Sequence, residues 1–275
     1  MGARLTGFTR MGEITKVAPD DGVCMADHEK YKWSHAPRFE WVLEEIEQAE
    51  NLGRSDDRPP RILEVGAHPF VFTERLVSEF PGAEIYCIGH DGNEPEIQTV
   101  GGKEVEIRYC NVEQDDWPFE DEQFDIVTMM AIIEHLLDPL SALWQARRVL
   151  SWDGTFLLTV PNAVSLVSRV RTLRGENPFD GYPLESRYNR HNHEYTKEEI
   201  EDLFPSAGLL PSKIEMLNER RIWTLPRLAQ YASAPFPNFR DQIAVSAQKS
   251  EPTDKLPNVY RQGVTESAET HPLQE

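Results

Sequence analysis

The spacing of apolar and polar residues changes along the chain and predicts buried strands that alternate with helices. Short continuous apolar runs are typical of strands buried on both faces, whereas a three- to four-residue spacing indicates a helix with one apolar face. Because Glu104–Cys110 alternates apolar and polar residues, we expect it at the edge of a sheet. Seven strands are predicted, at Arg61–Gly66, Glu84–Gly89, Glu104–Cys110, Phe124–Met130, Thr155–Val160, Lys213–Asn218 and Gln242–Lys249.

Helices are predicted before the first strand and between later ones. Phe39, Val42, Leu43 and Ile46 share one face of the first helix. Glu199 stands three residues after Thr196, the spacing of a capping box at a helix start. The four predicted helices are Glu29–Glu50, Phe70–Phe80, Pro139–Leu150 and Thr196–Ala207, and turns are predicted at Gly53–Pro60, Pro81–Gly82 and Trp152–Gly154.

This order of elements favours an α/β fold, a doubly wound and mostly parallel seven-stranded sheet with an N-terminal helical arm. We expect residues 1–25 to be a flexible arm, 26–60 a helix and linker, 61–249 the main domain, and 250–275 a disordered tail. In such sheets the ligand binds at the carboxyl ends of the strands, beside the first strand. The turn after Arg61–Gly66 is therefore the expected site.

Charge limits the partners, because the net charge is −19. A surface this acidic repels phosphate backbones and anionic lipid, so we expect no nucleic acid partner. A salt-adapted host and an ordinary acidic protein both account for the charge. No run reaches the roughly 20 apolar residues of a membrane span, and residues 1–16 do not resemble a signal peptide. A cytoplasmic location is expected, and Cys87 and Cys110, inside predicted strands, are expected to be buried thiols.

The turn in RILEVGAHPF has features of a ligand site. Gly66 can take a positive φ or allow a ligand close to the backbone, and Pro69 suits the first turn of the next helix. The amino end of that helix attracts a carboxylate or a phosphate. Glu64 is an acid in an apolar strand, so it needs a donor, either from a ligand or from a neighbouring loop.

A second polar cluster, RYNRHNHEYT, spans Arg187–Thr196. In an extended chain His191 and His193 point the same way, and Glu194 points opposite. A base beside groups that hold an acceptor, a metal-binding H-x-H pair, and a loop held by hydrogen bonds are the three interpretations. Because only Glu194 and Tyr188 stand nearby as further ligands, no metal site is assigned.

Other residues have two interpretations each. Glu134 either caps the helix near Pro139 or faces the site, and His135 is either a pocket histidine or a base. Tyr31, Trp33 and Trp41 either cover the site or, as we favour, dock the first helix. A group of three arginines either binds a phosphate or sugar acid of an acceptor or forms a solvated face or subunit contact: Arg169, Arg171 and Arg174.

Four segments in order, LEVGAHPF, FDIVTMMAIIEHLLDP, RRVLSWDGTFLLTVPN and RHNHEYTKEEIEDLFPSAGL, resemble the class I S-adenosylmethionine-dependent methyltransferases. They resemble in particular the set associated with bacterial and archaeal surface-polysaccharide biosynthesis. The resemblance covers about residues 61–209. It implies S-adenosyl-L-methionine as cofactor and O-methylation of a saccharide or other small-molecule hydroxyl as activity, with a small-molecule or glycan acceptor as partner.

The resemblance also assigns residues to the cofactor. The second strand of the family ends in an acid that binds the ribose, whereas here Gly89 holds that position and Asp91 or the backbone near His90 would substitute. The implied cofactor-binding residues are Glu64, Val65, Gly66 and Ala67 at the methionine part, Gly89, His90 and Asp91 at the ribose, Asn111, Val112 and Glu113 at the adenine, and Met130 and Ala131 beneath the cofactor. The candidate catalytic residues are His191, His193, Glu194 and His135.

Two other functions fit a sheet of this kind. A dinucleotide-dependent oxidoreductase lacks support, because the three-glycine fingerprint and a Tyr-x-x-x-Lys pair are both absent from the sequence. A non-catalytic binding module is the other alternative, since the ribose acid and the second glycine are replaced. Binding of S-adenosylmethionine separates the enzyme from the module.

Overall fold

The computed structural model describes residues 25–51, 58–90, 95–178, 191–219 and 235–251, and in the first range it describes side chains from residue 34 to residue 49. Several sequence features lie outside these residues. They are the predicted arm before residue 25, most of the linker, Asp91, the segment 187–190, the side chains of Tyr31 and Trp33, and the tail from residue 252.

The described strands form one sheet of eight. They are β1 (Arg61–Val65), β2 (Glu84–Gly89), β3 (Glu96–Val100), β4 (Lys103–Tyr109), β5 (Phe124–Met130), β6 (Leu150–Pro161), β7 (Leu209–Leu217) and β8 (Gln242–Lys249). Their order is β3-β4-β2-β1-β5-β6-β8-β7. The pairings from β4 to β6 are parallel, whereas β3 and β8 run antiparallel to their neighbours. The prediction of a doubly wound, mostly parallel α/β sheet is confirmed.

Strand order reverses beside β1, which pairs with β2 on one side and with β5 on the other. The connection from β1 through its helix leads to β2 on one side, and the connection from β5 through its helix leads to β6 on the other side, so the two connections run in opposite directions from β1. A crevice opens at such a reversal, outside the carboxyl ends of the two strands. The segments after Val65 and after Met130 border this crevice.

One edge of the sheet differs from the prediction. β4 is not an edge strand, because β3 pairs with it as an antiparallel hairpin, and the sheet has eight strands rather than seven. Gly101 and Gly102 form the turn with φ of 57° and 85°, the left-handed values that a two-residue hairpin turn requires. The Gly-Gly pair was the available sequence signal, but β3 is short and polar, and its Ile97 is exposed.

Five α-helices lie in the described ranges: α1 (Met25–Asn51), α2 (Val71–Glu79), α3 (Pro139–Val149), α4 (Leu166–Leu173) and α5 (Lys197–Ser206). The capping box of Thr196 and Glu199 at α5 is confirmed. Pro69 is not in the first turn of α2, because Phe70 precedes the helix with a left-handed φ of 65°. Helix α4, capped by Ser165, was not predicted.

The predicted turn at Trp152–Gly154 lies inside β6. Phe124 of β5 pairs with Leu150, but Ile126 pairs with Thr155, so β6 carries extra residues between these two pairs. Such an insertion bulges one strand away from its partner and leaves the pairing intact on both sides. Turn residues therefore signalled a bulge rather than a break.

Helix α1 packs on the main sheet through the predicted apolar face. Phe39, Val42, Leu43 and Ile46 are buried in one cluster with residues of α2 and of the central strands. The Trp41 indole is also buried, and its Nε1 donates a hydrogen bond to the Glu215 carboxylate on β7. The docking interpretation is confirmed for Trp41.

Replacing Ile46 with alanine is expected to lower the free energy of unfolding by about 2–5 kcal/mol, because the side chain is fully buried and leaves a cavity. Urea denaturation measures this change. The exposed neighbour Glu47 serves as the control, since Glu47→Ala removes no core contact. Equal stability of the two variants would contradict the packing of α1.

Cys87 and Cys110 are buried and are not disulfide-bonded, as predicted. No helix within the described ranges combines the length and the apolar character that a bilayer crossing requires.

Candidate active site

The turn after β1 is built around Gly66, whose φ is +79°. The amides of Gly66 and Ala67 both donate to the carbonyl of Ile88 on β2, at 2.9 and 3.3 Å. A Cβ on Gly66 would lie 2.2 Å from Cδ1 of Ile132. The left-handed backbone angle therefore favours glycine, and any side chain there would also have to displace the end of Ile132. The backbone of Gly66 is exposed and open to a ligand.

A small cavity of about 30 Å³, which we call the loop cavity, lies against this turn. Arg38 and Phe39 of α1 also line it. Its volume is about that of one water molecule. Five residues predicted to bind the cofactor line it together: Glu64, Val65, Gly66, Ala67 and Met130.

Glu64 lies buried at the loop cavity, and its carboxylate accepts a hydrogen bond of 2.7 Å from Thr73 Oγ1. Burial raises the pKa of Glu64 to about 8, against the smaller opposing effect of Thr73. Thr73, from α2, is the neighbouring partner that the sequence left open. A ligand ammonium or sulfonium in this cavity would favour the charged carboxylate.

The pKa of Glu64 predicts how stability depends on pH in the protein without ligands. Its folded pKa lies above the unfolded value, so the folded state binds the proton more tightly, and stability falls as pH rises from about 4.5 to 8. Glu64→Gln removes this dependence. We expect its melting temperature to exceed that of the wild type increasingly across that range, whereas a constant difference would contradict the buried acid.

At the predicted ribose position, the end of β2 has Gly89 packed against an aromatic ring instead of an acid. A Cβ on Gly89 would lie 2.7 Å from the Tyr109 ring, so the strand end has no room for an acid. The Tyr109 hydroxyl donates to the Glu96 carboxylate on β3, and burial together with Glu96 raises the pKa of Tyr109 to about 12. His90 is exposed.

The predicted adenine segment follows the end of β4 and is hydrogen-bonded to the segment after β5. Glu113 accepts hydrogen bonds from the amides of Leu137 and Asp138, at 2.7 and 2.9 Å. Asn111 accepts one from the Glu113 amide, and the Val112 carbonyl accepts one from the buried Trp117 indole. Asn111–Glu113 are thus held in place by hydrogen bonds, with the Glu113 carboxylate already engaged, and they line neither the loop cavity nor the larger cavity at the ends of β5 and β6.

A larger cavity of about 180 Å³, the polar cavity, lies at the carboxyl ends of β5 and β6. Arg38 lines both cavities, so they are neighbours. Ala131, with a left-handed φ of 53°, is one of the residues that line it. Nine ionisable residues line it: His35, Arg38, Glu134, His135, Arg171, His191, Glu194, Glu219 and Asp241.

The segment 191–196 forms one wall of the polar cavity because hydrogen bonds hold it to the segment after β5. The amides of Asn192 and His193 donate to the Glu134 carbonyl, at 2.7 and 3.2 Å, and the Asn192 side chain donates to the His135 carbonyl. Tyr195 forms a parallel bridge with Asn162 at the end of β6. The described part of the predicted polar cluster, residues 191–196, is therefore both a loop held by hydrogen bonds and part of the cavity lining.

Three predicted catalytic residues meet in the polar cavity. His191 Nδ1 lies 2.8 Å from the Glu194 carboxylate, and the rings of His135 and His191 are 4.9 Å apart. Glu194 is buried, whereas the two histidines are partly exposed. This group combines two imidazoles and a carboxylate inside one concave site.

Glu134 is the carboxylate that the sequence left unassigned, and it faces the polar cavity. Asp138 caps α3 instead. Glu134 is 0% exposed, and neither of its carboxylate oxygens accepts a hydrogen bond from any described residue. Burial raises its pKa to about 7; the residue's own backbone amide, which approaches the carboxylate without forming a well-aligned hydrogen bond, opposes the shift most, followed by His191 and Arg38. A buried carboxylate without a partner is costly, so this group is suited to a ligand.

His193 does not share the direction of His191, and that prediction is wrong. Its Nε2 lies 3.2 Å from Glu199 at the start of α5, its ring contacts Tyr195, and it does not line the polar cavity. The bond to Glu199 raises the pKa of His193. The chain is not extended here, because Asn192 turns to bond His135.

The three arginines in α4 and directly after it do not form one anion site. Arg169 bonds the Val164 carbonyl and stacks on Phe239, and Arg174 pairs with Glu176 at 3.0 Å. Arg171 alone of these three lines the polar cavity. The solvated-face interpretation therefore suits Arg169 and Arg174.

Several cavity residues were missed because they come from distant segments. Arg38 extends from α1, where it looked like one more charged helix residue. It is buried and lies 3.4 Å from the Glu219 carboxylate. Asp241 and Gln242 precede and begin β8, and both are buried. Two polar residues before an apolar strand were the only signal for them.

A mostly parallel sheet with an antiparallel last strand, a glycine turn after β1 and a polar cavity at the strand ends define a Rossmann-like methyltransferase. The family model for the methyltransferase domain matches residues 35–210, and the chain belongs to this family. This family is that of the S-adenosylmethionine-dependent methyltransferases, so the chain is not a dinucleotide-dependent oxidoreductase.

Similar proteins agree with this assignment. A malonyl-[acyl-carrier protein] O-methyltransferase of Geobacter sulfurreducens is 31% identical over 99 residues, which are 36% of this chain and only 37% of that protein. A chain in the complex of the Haloferax volcanii Trm112 methyltransferase activator with a methyltransferase has a TM-score of 0.54 at 12% identity, covering 82% of this chain and 93% of that one. An Aquifex aeolicus SAM-dependent methyltransferase has a TM-score of 0.50 at 15% identity, covering 82% and 97%.

Proposed function

We propose that the enzyme methylates a hydroxyl group of a small polar acceptor, with a saccharide unit as the best candidate, and that the acceptor binds in the polar cavity. The buried carboxylate of Glu134, which has no hydrogen-bond donor among the described residues, is the observation that carries this proposal. A hydroxyl of the acceptor would give it the donor that the protein does not.

The cofactor is assigned to the crevice between the ends of β1 and β5. Glu64–Ala67 and Met130 would hold its methionine part at the loop cavity, where a cationic ligand suits the buried Glu64. The loop cavity is small, so Arg38 and Ile132, which border the turn, would shift on binding. Gly89, His90 and Asp91 would lie toward the ribose, and Asn111–Glu113 toward the adenine. Bound there, S-adenosylmethionine supplies a methyl group on a positively charged sulfur.

The size of the polar cavity favours a small acceptor group. At about 180 Å³ it is smaller than the roughly 300–1,000 Å³ of sites for drug-sized ligands. Its polar groups are dense and mix donors with acceptors, which suits the several hydroxyls of a sugar ring. A larger glycan would insert one unit and leave the rest outside.

The charges of the cavity favour a neutral hydroxyl over a carboxylate as acceptor. Four acids line it, Glu134, Glu194, Glu219 and Asp241, against two arginines, and one of those, Arg38, already pairs with Glu219. The name of the Geobacter relative describes O-methylation of malonyl-[acyl-carrier protein]. An acidic acceptor of that kind would meet like charges here.

The cavity residues would position the acceptor and receive its proton. Methyl transfer to oxygen is a displacement that depends mainly on alignment and exclusion of water. Glu134 would accept a hydrogen bond from the hydroxyl, and Arg38 and His135 would help to orient the acceptor. As the new bond forms, the hydroxyl loses its proton. Glu134 or the His191–Glu194 pair would receive this proton and so act as the general base.

The test is transfer of a labelled methyl group. The protein is incubated with labelled S-adenosylmethionine and cell-envelope saccharide fractions, and the products are separated and fragmented to place the label. Label in an ether on a sugar supports the proposal. Label only in base-labile esters would assign a carboxyl acceptor and contradict it.

A further inference from the structure

We propose that the polar cavity holds a divalent transition-metal ion bound by Glu134, His135 and His191. Each of these residues offers one ligand atom, and within the described chain these three atoms lie within 4.8 Å of one another. The role of the ion in catalysis rests on the proposed function, because the ion would lie where the acceptor binds. The binding of the ion itself does not depend on the proposed function.

The ligands come from two segments that the fold holds together. Glu134 and His135 belong to a single 3-10 turn after β5, Ile133–His135, and His191 lies directly before the residues that bond this turn. Two atoms each about 2.1 Å from a tetrahedral ion are about 3.4 Å apart, so small side-chain rotations complete the geometry. The H-x-H pair of His191 and His193 did not reveal these three ligands in the sequence, because Glu134 and His135 come from a distant segment.

The burial of Glu134 and the lack of a well-aligned donor for its carboxylate add a second observation, beside the spacing of the three ligand atoms, that points to a cation. The Glu134 carboxylate is fully buried, lines the cavity, and accepts no hydrogen bond from a described residue. Buried charges in proteins are paired or coordinate metals. Arg38 contributes positive charge nearby but bonds Glu219 instead.

Glu194 completes the site as an orienting group. It is bonded to His191 Nδ1 at 2.8 Å, so we assign Nε2 of His191 to the ion. A carboxylate that bonds the second nitrogen of a ligating histidine fixes the ring and makes it a stronger ligand. Glu194 thus has the place of an outer partner in a carboxylate–histidine–metal arrangement.

The ligand types limit the ion. Two imidazoles and one carboxylate suit Zn²⁺, Co²⁺, Fe²⁺ or Mn²⁺ rather than Ca²⁺ or Mg²⁺, which prefer oxygen ligands. Three protein ligands leave at least one coordination position open toward the cavity. With the ion bound, Glu134 and His191 would be its ligands and would no longer receive the proton themselves. The acceptor hydroxyl would bind the open position instead, where its pKa is lowered, so that it loses its proton to solvent and its oxygen attacks more readily.

Co²⁺ is the probe for the test, because its visible absorption reports the ligands. The untagged full chain is treated with EDTA, dialysed and titrated with Co²⁺, with Mg²⁺ as the comparison. We expect one Co²⁺ per chain. Glu134→Gln and His191→Gln should weaken binding at least 10-fold, and Glu194→Gln should weaken it about 10- to 100-fold, as outer partners do.

His193→Gln is the matched control, since His193 lies two residues from His191 but outside the cavity, and it should leave Co²⁺ affinity unchanged. Absence of bound Co²⁺ from the wild-type chain overturns the metal site, as does an equal loss in His193→Gln and His191→Gln. S-adenosylmethionine binding, measured on the same samples by calorimetry, shows whether each variant is folded. If it persists without Co²⁺ binding, the metal site alone has failed and the methyltransferase proposal stands.

Discussion

Glu134→Gln is expected to reduce methyl transfer by about 10²- to 10⁴-fold, the range for loss of a general base, while S-adenosylmethionine affinity changes by less than about threefold. The side chain keeps its size but loses the charge that faces the acceptor. Because Glu134 is 0% exposed and has no hydrogen-bond donor among the described residues, glutamine replaces the carboxylate that we assign to the hydroxyl. Turnover and calorimetry on the same preparation measure the two effects separately.

Glu198→Gln is the control for this variant. Glu198 is an exposed acid in the first turn of α5 and lies outside both cavities, so its neutralisation tests only the loss of one surface charge. We expect near wild-type turnover. A Glu134→Gln enzyme with turnover within about threefold of the wild type would remove the acceptor from the polar cavity.

Gly66→Val is expected to lower cofactor affinity at least 100-fold and to lower the free energy of unfolding by about 2–5 kcal/mol. A β-branched residue at a φ of +79° is strained, at about 1–3 kcal/mol. Its Cβ would also lie 2.2 Å from Ile132 Cδ1, and such overpacking costs about 1–3 kcal/mol. The displaced turn no longer presents its backbone to the crevice. Denaturant unfolding and calorimetry measure the two losses.

Gly82→Val provides the comparison, because a Cβ at Gly82 meets nothing within 4 Å and its φ is not left-handed. Both measured quantities should remain near those of the wild type. If Gly66→Val does not fold, Gly66→Ala supplies the cofactor measurement with less strain. Wild-type cofactor affinity in a folded Gly66 variant would show that the cofactor does not use this turn.

The central strands could be predicted because burial on both faces gives them mostly apolar sequences, as in Arg61–Val65 and Phe124–Met130, where apolar residues outnumber the polar ones. The edge hairpin could not be predicted in the same way. β3 alternates half-buried and exposed residues over five positions, and its stability comes from pairing with β4, a long-range contact that local periodicity does not record. Helix α4 was missed for a related reason, since few of its side chains are buried.

The site was predictable where its residues follow strands directly, and less so elsewhere. Glu64–Ala67 and Met130 surround one cavity, as their places at the ends of β1 and β5 required. His191 and Glu194 were identified as a polar cluster, but the true neighbour of His191 is His135, 56 positions earlier. The two-residue spacing suggested His193 as the neighbour of His191, because in an extended chain the two side chains would point the same way. Arg38 had no local signal at all.

The place of Arg38 has a thermodynamic consequence. Arg38 lines both the loop cavity and the polar cavity. A ligand that moves this side chain on binding in one cavity therefore changes the free energy of binding in the other. Linkage requires this effect to be mutual: the factor by which the first occupant alters the dissociation constant of the second must equal the factor in the reverse direction. Donor and acceptor should therefore bind with an interdependence that substitution of this single arginine would diminish.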